Sequence, residues 1–218
     1  KKRNQYQLNL FDHGSNRLGA SALMQGLADG YFVVPHSIGN YLASTNLDKI
    51  DLNHPQFKTD ITSVNNLCNK ILDVKGTQTV DEIHKNLGKI MWDYVGMSRN
   101  QEGLNFAISE IKKLKNKFYN EVNVPGSNGF NMELEKAGRL ADFLELGQLM
   151  ALDALKREES CGGHFREEFQ TEDNEALRND EKFAYVAAWG YNSDIKNSAL
   201  NKEELEFDNV ELTTRSYK

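Results

Sequence analysis

The sequence predicts a mainly α-helical protein, built as an antiparallel bundle of three to four helices with a small β element near its C-terminal end. Between residues 57 and 156, apolar side chains recur at spacings of three and four, the period of an amphipathic helix. After Ser160 the pattern changes, because residues 182–191 are apolar and aromatic in the manner of a strand. Short connections between the helices favour antiparallel neighbours.

The first predicted helix follows a loop. Residues 12–16 are rich in turn and cap residues, and apolar residues follow at helical spacing, so the helix should begin within residues 17–20. Pro35 should end or kink it, because proline lacks a backbone N–H and clashes with the preceding turn. After a short helical continuation, residues 44–55 read as a polar connector.

The next two predicted helices carry clear apolar stripes. The first starts near Phe57 and is stopped by residues 75–77. Thr79 and Glu82 have the spacing of a capping box, in which each side chain bonds to the backbone N–H of the other, and this predicts the start of the second. Gly96 should end that helix. The two stripes are Ile61, Val64, Cys68, Ile71 and Leu72, then Ile83, Leu87, Ile90, Met91, Tyr94 and Val95.

Two more helices and a tail complete the predicted chain. One helix covers residues 104–122, with its lysines on the solvent side, and residues 123–129 form a loop rich in helix breakers. Asn131 should cap the longest helix, which runs to about Lys156. In the tail we expect strands at 182–191 and 205–212, with residues 167–180 as a charged surface loop.

Charge and cysteine content exclude several classes of function. The formal net charge is -6, from 26 basic and 32 acidic residues, which argues against a nucleic-acid partner because such binders need a basic surface. Two cysteines do not make a disulfide framework, so a reducing, cytoplasmic setting is expected. The apolar stretch 18–43 is interrupted by polar residues and cannot serve as a bilayer span of about 20 apolar residues. Any membrane association should come through a partner.

The segment 12–23 holds the candidate binding residues. Arg17 and His13 place a guanidinium and an imidazole beside the predicted start of a helix. That combination suits a carboxylate or another anion, because arginine can bind both carboxylate oxygens and the first helical N–H groups favour negative charge. The same spacing also fits a plain helix cap with a surface arginine.

Cys161 and His164 are possible metal ligands, but we predict no metal site. They supply two ligands, whereas a structural zinc site needs about four. Arg157, His164 and Arg166 are interpreted as interdomain hydrogen-bonding residues rather than catalysts.

Residues 13–19, His-Gly-Ser-Asn-Arg-Leu-Gly, resemble the motif around the flavin in the succinate dehydrogenase and fumarate reductase flavoprotein family. The resemblance covers nearly the whole chain from Gln7. It continues through residues 25–31, 90–96, 157–168 and 215–218. The chain therefore resembles the C-terminal portion of such a subunit, an FAD-dependent oxidoreductase that acts on CH–CH groups by interconverting succinate and fumarate.

The resemblance implies roles for five residues. Arg17 and His13 would bind the dicarboxylate substrate, and the backbone of Ala22 and Leu23 would contact the isoalloxazine end of FAD. Gln7 stands where many members carry an acidic residue that contacts the cofactor. No catalytic residue is expected here, because the family's proton-delivering arginine and flavin-attaching histidine belong upstream.

The resemblance also implies a domain plan and partners. Residues 1–56 would be a remnant of the FAD-binding domain, 57–160 the helical bundle domain and 161–218 a C-terminal extension with short strands. The partners would be an iron–sulfur subunit and a membrane-anchor cytochrome b subunit that passes electrons to quinone, at the cytoplasmic face of the inner membrane.

We expect the chain alone to be inactive, with FAD absent or incompletely bound, because it has no G-x-G-x-x-G turn between a strand and a helix. Two alternatives stay open. One is a fragment of L-aspartate oxidase, which shares the His-Gly-Ala-Asn-Arg type of motif and a helical C-terminal domain. The other is a helical interaction module without catalysis.

Overall fold

The computed structural model describes residues 21–47, 49–127, 129–192 and 194–206. The chain divides into two units, Lys1–Asn65 and Asn66–Lys218. Each unit is described by itself below.

The first unit is helical where it is described. Helix α1 (Ser21–Ala28) continues through one π-helical turn (Asp29–Val33) into α2 (Val34–Ser44). Pro35 lies in the first turn of α2, directly after the π turn. Pro35 does not end the helix as predicted, since the helical run continues to Ser44 and its change to a π turn precedes the proline. After the connector, α3 (Pro55–Leu72) leads into the second unit.

The second unit is built on three long helices, α4 (Val80–Tyr94), α5 (Gln101–Glu121) and α6 (Met132–Lys156). Helix α5 runs antiparallel to both others. Its residue Lys115 pairs with Glu145 of α6, while Ile108, earlier in α5, meets Gln148, later in α6. The predicted antiparallel bundle is confirmed.

Local hydrogen bonds fix where these helices begin. The Thr79 Oγ1 accepts from the Glu82 N–H at 3.2 Å, and the Glu82 carboxylate accepts from the Thr79 N–H at 2.9 Å. This is the predicted capping box. Asn100 caps α5 and Asn131 caps α6 in the same way, each with a side-chain oxygen that accepts from the first turn.

The core lies where the three helices face one another, and the end of α3 adds Ile71 to it. Gly147 of α6 marks a close crossing, because a Cβ there would lie 3.1 Å from the Met91 sulfur of α4. The largest buried apolar residues are Ile83, Leu104, Ile111, Phe118, Val122, Leu140 and Leu144. Ile83 belongs to the apolar stripe predicted for α4, and the others lie in the helices predicted over residues 104–122 and after Asn131.

A short parallel bridge closes one end of the bundle. Strand β1 (Gln78–Thr79) pairs with β2 (Val122–Asn123), and the Gly76 N–H donates to the Val122 carbonyl at 3.0 Å. A Cβ on Gly76 would lie 1.9 Å from the Glu121 carbonyl oxygen, so the chain can pass here only as glycine.

The tail contains a short helix α7 (Asp180–Phe183) and a hairpin of β3 (Tyr185–Gly190) with β4 (Ala199–Glu204). One 3₁₀ turn (Ile195–Asn197) lies between the strands. The predicted first strand is confirmed. The second predicted strand, at 205–212, lies mostly outside the described residues, and β3 pairs instead with the earlier strand β4. Strand β4 is exposed and charged, so it lacks the apolar alternation that sequence reasoning looked for.

We predict that Gly76→Ala lowers the free energy of unfolding by about 1–3 kcal/mol, because the added methyl group overlaps a backbone carbonyl that cannot rotate away. Gly138→Ala in α6 is the control. Nothing lies within 4 Å of a Cβ added at Gly138. Alanine is more favourable than glycine in a helix interior by up to about 1 kcal/mol, so this control should keep or gain stability. Urea unfolding of both variants measures the difference, and equal stability would contradict the close approach at Gly76.

Candidate functional site

Three of the five predicted binding residues, Gln7, His13 and Arg17, lie outside the described residues. Ala22 and Leu23 lie in α1. The Leu23 side chain is 61% exposed, so this side of α1 is open to another group.

Helices α1 and α2 carry exposed apolar side chains around the π turn. None of the described side chains in residues 21–44 is buried. Apolar side chains exposed in one segment are typical of a surface that contacts another group. The exposed residues are Leu23, Met24, Leu27, Tyr31, Phe32, Val34, Ile38, Tyr41 and Leu42.

The densest polar cluster of the described residues lies in the second unit, and we call it the C-terminal junction. It joins the tail to the ends of α5 and α6. Its members are Arg157, Glu159, Ser160, His164, Arg166, Glu167 and Glu168, with Arg99 beside them.

Arg166 is the centre of the junction, with a side chain that is only 2% exposed. Its Nη1 donates to the carbonyls of Ala154 and Leu155, at 2.9 and 3.2 Å, in the last turn of α6. Its Nε donates to Glu168 at 3.1 Å. A cation at the C-terminus of a helix meets carbonyls that have no intrahelical partner, so this placement stabilises both groups.

Ser160 holds the backbone of the same residue. Its Oγ accepts from the Arg166 N–H at 2.8 Å and donates to the Arg166 carbonyl at 3.1 Å. Ser160 is completely buried, so loss of the hydroxyl would leave both backbone groups without a partner.

Glu167 and Glu168 tie the tail to the N-terminus of α5. Glu168 accepts from the Gln101 N–H, the first of the helix, where a negative charge is favoured. Glu167 accepts from Ser98 at 2.7 Å and from Asn100 at 2.8 Å. The hydrogen bonds from Asn100 and Ser98 hold the pKa of Glu167 below its usual value.

Arg157 anchors the tail hairpin. Its guanidinium donates to Glu159 at 2.7 Å and to the carbonyls of Phe183 and Tyr185, each at 3.1 Å. It also lies over the rings of both aromatic residues, at 5.7 and 5.1 Å from their centroids. Glu159 is buried and accepts from the Asn179 N–H at 2.9 Å, so both charges of the pair are satisfied.

His164 closes a turn that also contains Cys161 and Gly162. Its Nε2 lies 2.9 Å from the Arg157 carbonyl, so this nitrogen carries the proton. Burial lowers the pKa of His164, and the guanidiniums of Arg99 and its neighbours lower it further, against the opposing effect of that hydrogen bond. The φ angle of Gly162 is +58°, which glycine adopts without strain.

Arg99 is the least satisfied member of the cluster. One terminal nitrogen donates to the Gly163 carbonyl at 3.3 Å, while its Nε is buried and has no hydrogen-bond partner among the described residues. Burial and the charge of Arg166 lower the pKa of Arg99.

The junction is suited to holding structure rather than to catalysis. Its charged groups are used by one another and by backbone groups, and burial raises the pKa of Cys161, which disfavours the reactive thiolate. In the described ranges no group of three or more potential ligands is placed to hold a metal ion. Nor is any helix of these ranges long and apolar enough to cross a membrane.

Sequence reasoning predicted interdomain hydrogen bonds for Arg157, His164 and Arg166. All three make hydrogen bonds within the second unit, and bonds to another domain stay a prediction. Their observed partners lie in α6 and the tail. Arg99 and Ser160 were missed. Arg99 bonds to Gly163, which is 64 positions away, and Ser160 bonds to Arg166, which is 6 positions away, and nothing in the local sequence indicates either contact.

Comparison with solved structures identifies the architecture. The quinol fumarate reductase flavoprotein chain of E. coli matches with a TM-score of 0.73 and 20% identity, covering 93% of this chain and 33% of that chain. The fold is therefore that of the helical C-terminal region of a flavoprotein of this class.

The chain belongs to the fumarate reductase flavoprotein C-terminal family, whose model matches residues 84–217. The expectation drawn from the motifs is confirmed at this level.

Two curated relatives agree with the family assignment. An uncharacterised FAD-dependent oxidoreductase of Methanocaldococcus jannaschii is 31% identical over 157 residues, which is 72% of this chain and 26% of the relative. The fumarate reductase flavoprotein subunit of Helicobacter pylori is 27% identical over 205 residues, which is 92% of this chain and 27% of the relative. The chain thus spans about a quarter of the length of the curated relatives that it matches.

We predict that Arg166→Met lowers the free energy of unfolding by about 2–3 kcal/mol, because it leaves the carbonyls of α6 and the Glu168 carboxylate without their donor. Arg139→Met is the control, since this arginine lies on the same helix bundle but pairs with Glu135 in solvent, at 62% and 50% exposure. The control should change stability by less than about 0.5 kcal/mol. Similar losses in both variants, measured by urea unfolding, would show that the junction contributes no special stability.

We predict that stability falls as the pH is lowered from 7 to about 5. The pKa of His164 is lowered in the folded chain, so below about 6.5 the unfolded state binds more protons and is favoured. His164→Gln, which keeps a donor for the Arg157 carbonyl, should flatten this dependence, whereas His84→Gln, at an exposed position, should not. Thermal melts across this pH range measure the dependence of stability on pH. If that dependence is unchanged in His164→Gln, His164 is not its source.

Proposed function

We propose that this chain is the C-terminal part of the flavoprotein subunit of a succinate dehydrogenase or fumarate reductase. The observation that carries the proposal is the match of the family model over residues 84–217. Flavoprotein subunits of both enzymes are among the curated relatives. The reaction would be the FAD-dependent interconversion of succinate and fumarate.

The exposed apolar side chains of residues 21–44 support the proposed domain plan. A segment that buries none of its described side chains does not form a core, so it fits a remnant of the FAD-binding domain, proposed for residues 1–56. Residues 57–160 would be the helical bundle domain, and 161–218 the extension held by the C-terminal junction.

The proposed substrate residues are Arg17 and His13. A guanidinium binds a carboxylate through two parallel hydrogen bonds, so Arg17 would fix one end of the four-carbon dicarboxylate, and the imidazole of His13 would add a further hydrogen bond. Their role would be to hold the substrate for the reaction rather than to move a proton.

The proposed cofactor residues are Ala22, Leu23 and Gln7. Backbone groups of α1 at Ala22 and Leu23 would contact the isoalloxazine, and the exposure of Leu23 leaves room for such a group. Gln7 would contact the cofactor through a neutral amide, where many family members use a carboxylate. Bound FAD would supply the hydride acceptor or donor, since this is the chemistry of the flavin itself.

The intact assembly would include an iron–sulfur subunit and a membrane-anchor cytochrome b subunit that exchange electrons with quinone. The flavoprotein would then lie at the cytoplasmic face of the inner membrane. Quinol fumarate reductase is the named activity of solved relatives that share this fold. We propose that the chain alone is inactive, because a nucleotide-binding half would be needed to hold FAD.

We predict that the purified chain does not retain FAD after desalting, whereas the longer flavoprotein that this proposal requires does. The physical reason is that FAD needs a dinucleotide-binding fold for its pyrophosphate. Flavin absorbance of the two desalted proteins measures the difference. A longer protein that stays colourless would favour the helical interaction module instead.

We predict that Arg17→Gln in the longer flavoprotein lowers succinate oxidation by about 100-fold or more, because a misplaced dicarboxylate loses its reactive geometry. Flavin content should stay unchanged, which separates loss of substrate binding from loss of the cofactor. Arg139→Gln, an exposed substitution in α6, is the matched control and should keep full activity. Arg17→Gln protein with normal turnover would exclude this residue from the substrate site.

The longer flavoprotein also allows succinate and L-aspartate to be compared as substrates. Succinate should reduce the flavin rapidly and L-aspartate should not. The reverse result would identify an L-aspartate oxidase.

A further inference from the structure

We draw no further inference here: the strongest candidate, the exposed apolar face of α6 formed by Phe143, Leu146 and Met150, carries no proposal because nothing in the described residues shows what covers it.

Discussion

The guanidinium of Arg166 is the interaction on which the described C-terminal half depends. It joins the last carbonyls of α6 to Glu168, and Glu168 in turn accepts from the first N–H of α5. Burying a charge is costly unless the group is paired and hydrogen-bonded, and the contacts to Glu168, Ala154 and Leu155 supply that pairing. The start of one helix, the end of another and the tail are thereby fixed as one body.

The hydrophobic core and the C-terminal junction contribute differently to the structure of the second unit. Packing of α4, α5 and α6 buries the apolar stripes and gives most of the driving force for folding. Such packing has little direction, whereas the hydrogen bonds of Arg157, Ser160 and Arg166 specify where the tail lies. In the part of the tail that the structure describes, the hairpin has two strands, and a two-stranded hairpin is marginal without such an attachment.

The two units differ in how much of their apolar surface they bury. The second unit buries a continuous apolar core, while residues 21–44 leave their described apolar side chains in solvent. This contrast supports the view that the first segment is completed by further protein, as in the longer relatives.

Local patterns were enough to predict the three long helices of the second unit. The stripe around Ile83 and Leu87 follows the helical period, and the residues of a capping pair, such as Thr79 and Glu82, lie only three positions apart. The family assignment also came from short motifs, and the family model confirms it.

The junction could not be predicted in detail, because its bonds join residues far apart. Gln101 and Glu168 are 67 positions apart, and their meeting depends on how three helices pack. Strand β4 was not predicted, for a different reason. It is an exposed strand that contains Lys202, Glu203 and Glu204. Because neither face of it is buried, its sequence does not alternate between apolar and polar residues. The proposed roles of Gln7, His13 and Arg17 stay predictions, since these residues lie outside the described ranges.

The most direct test of the account is an anaerobic titration of the longer flavoprotein with succinate, followed by the absorbance of its oxidised flavin. If the chain belongs to a succinate dehydrogenase or fumarate reductase, succinate will bleach the flavin and fumarate will restore it. A flavin that succinate leaves oxidised while another reductant bleaches it would contradict the account.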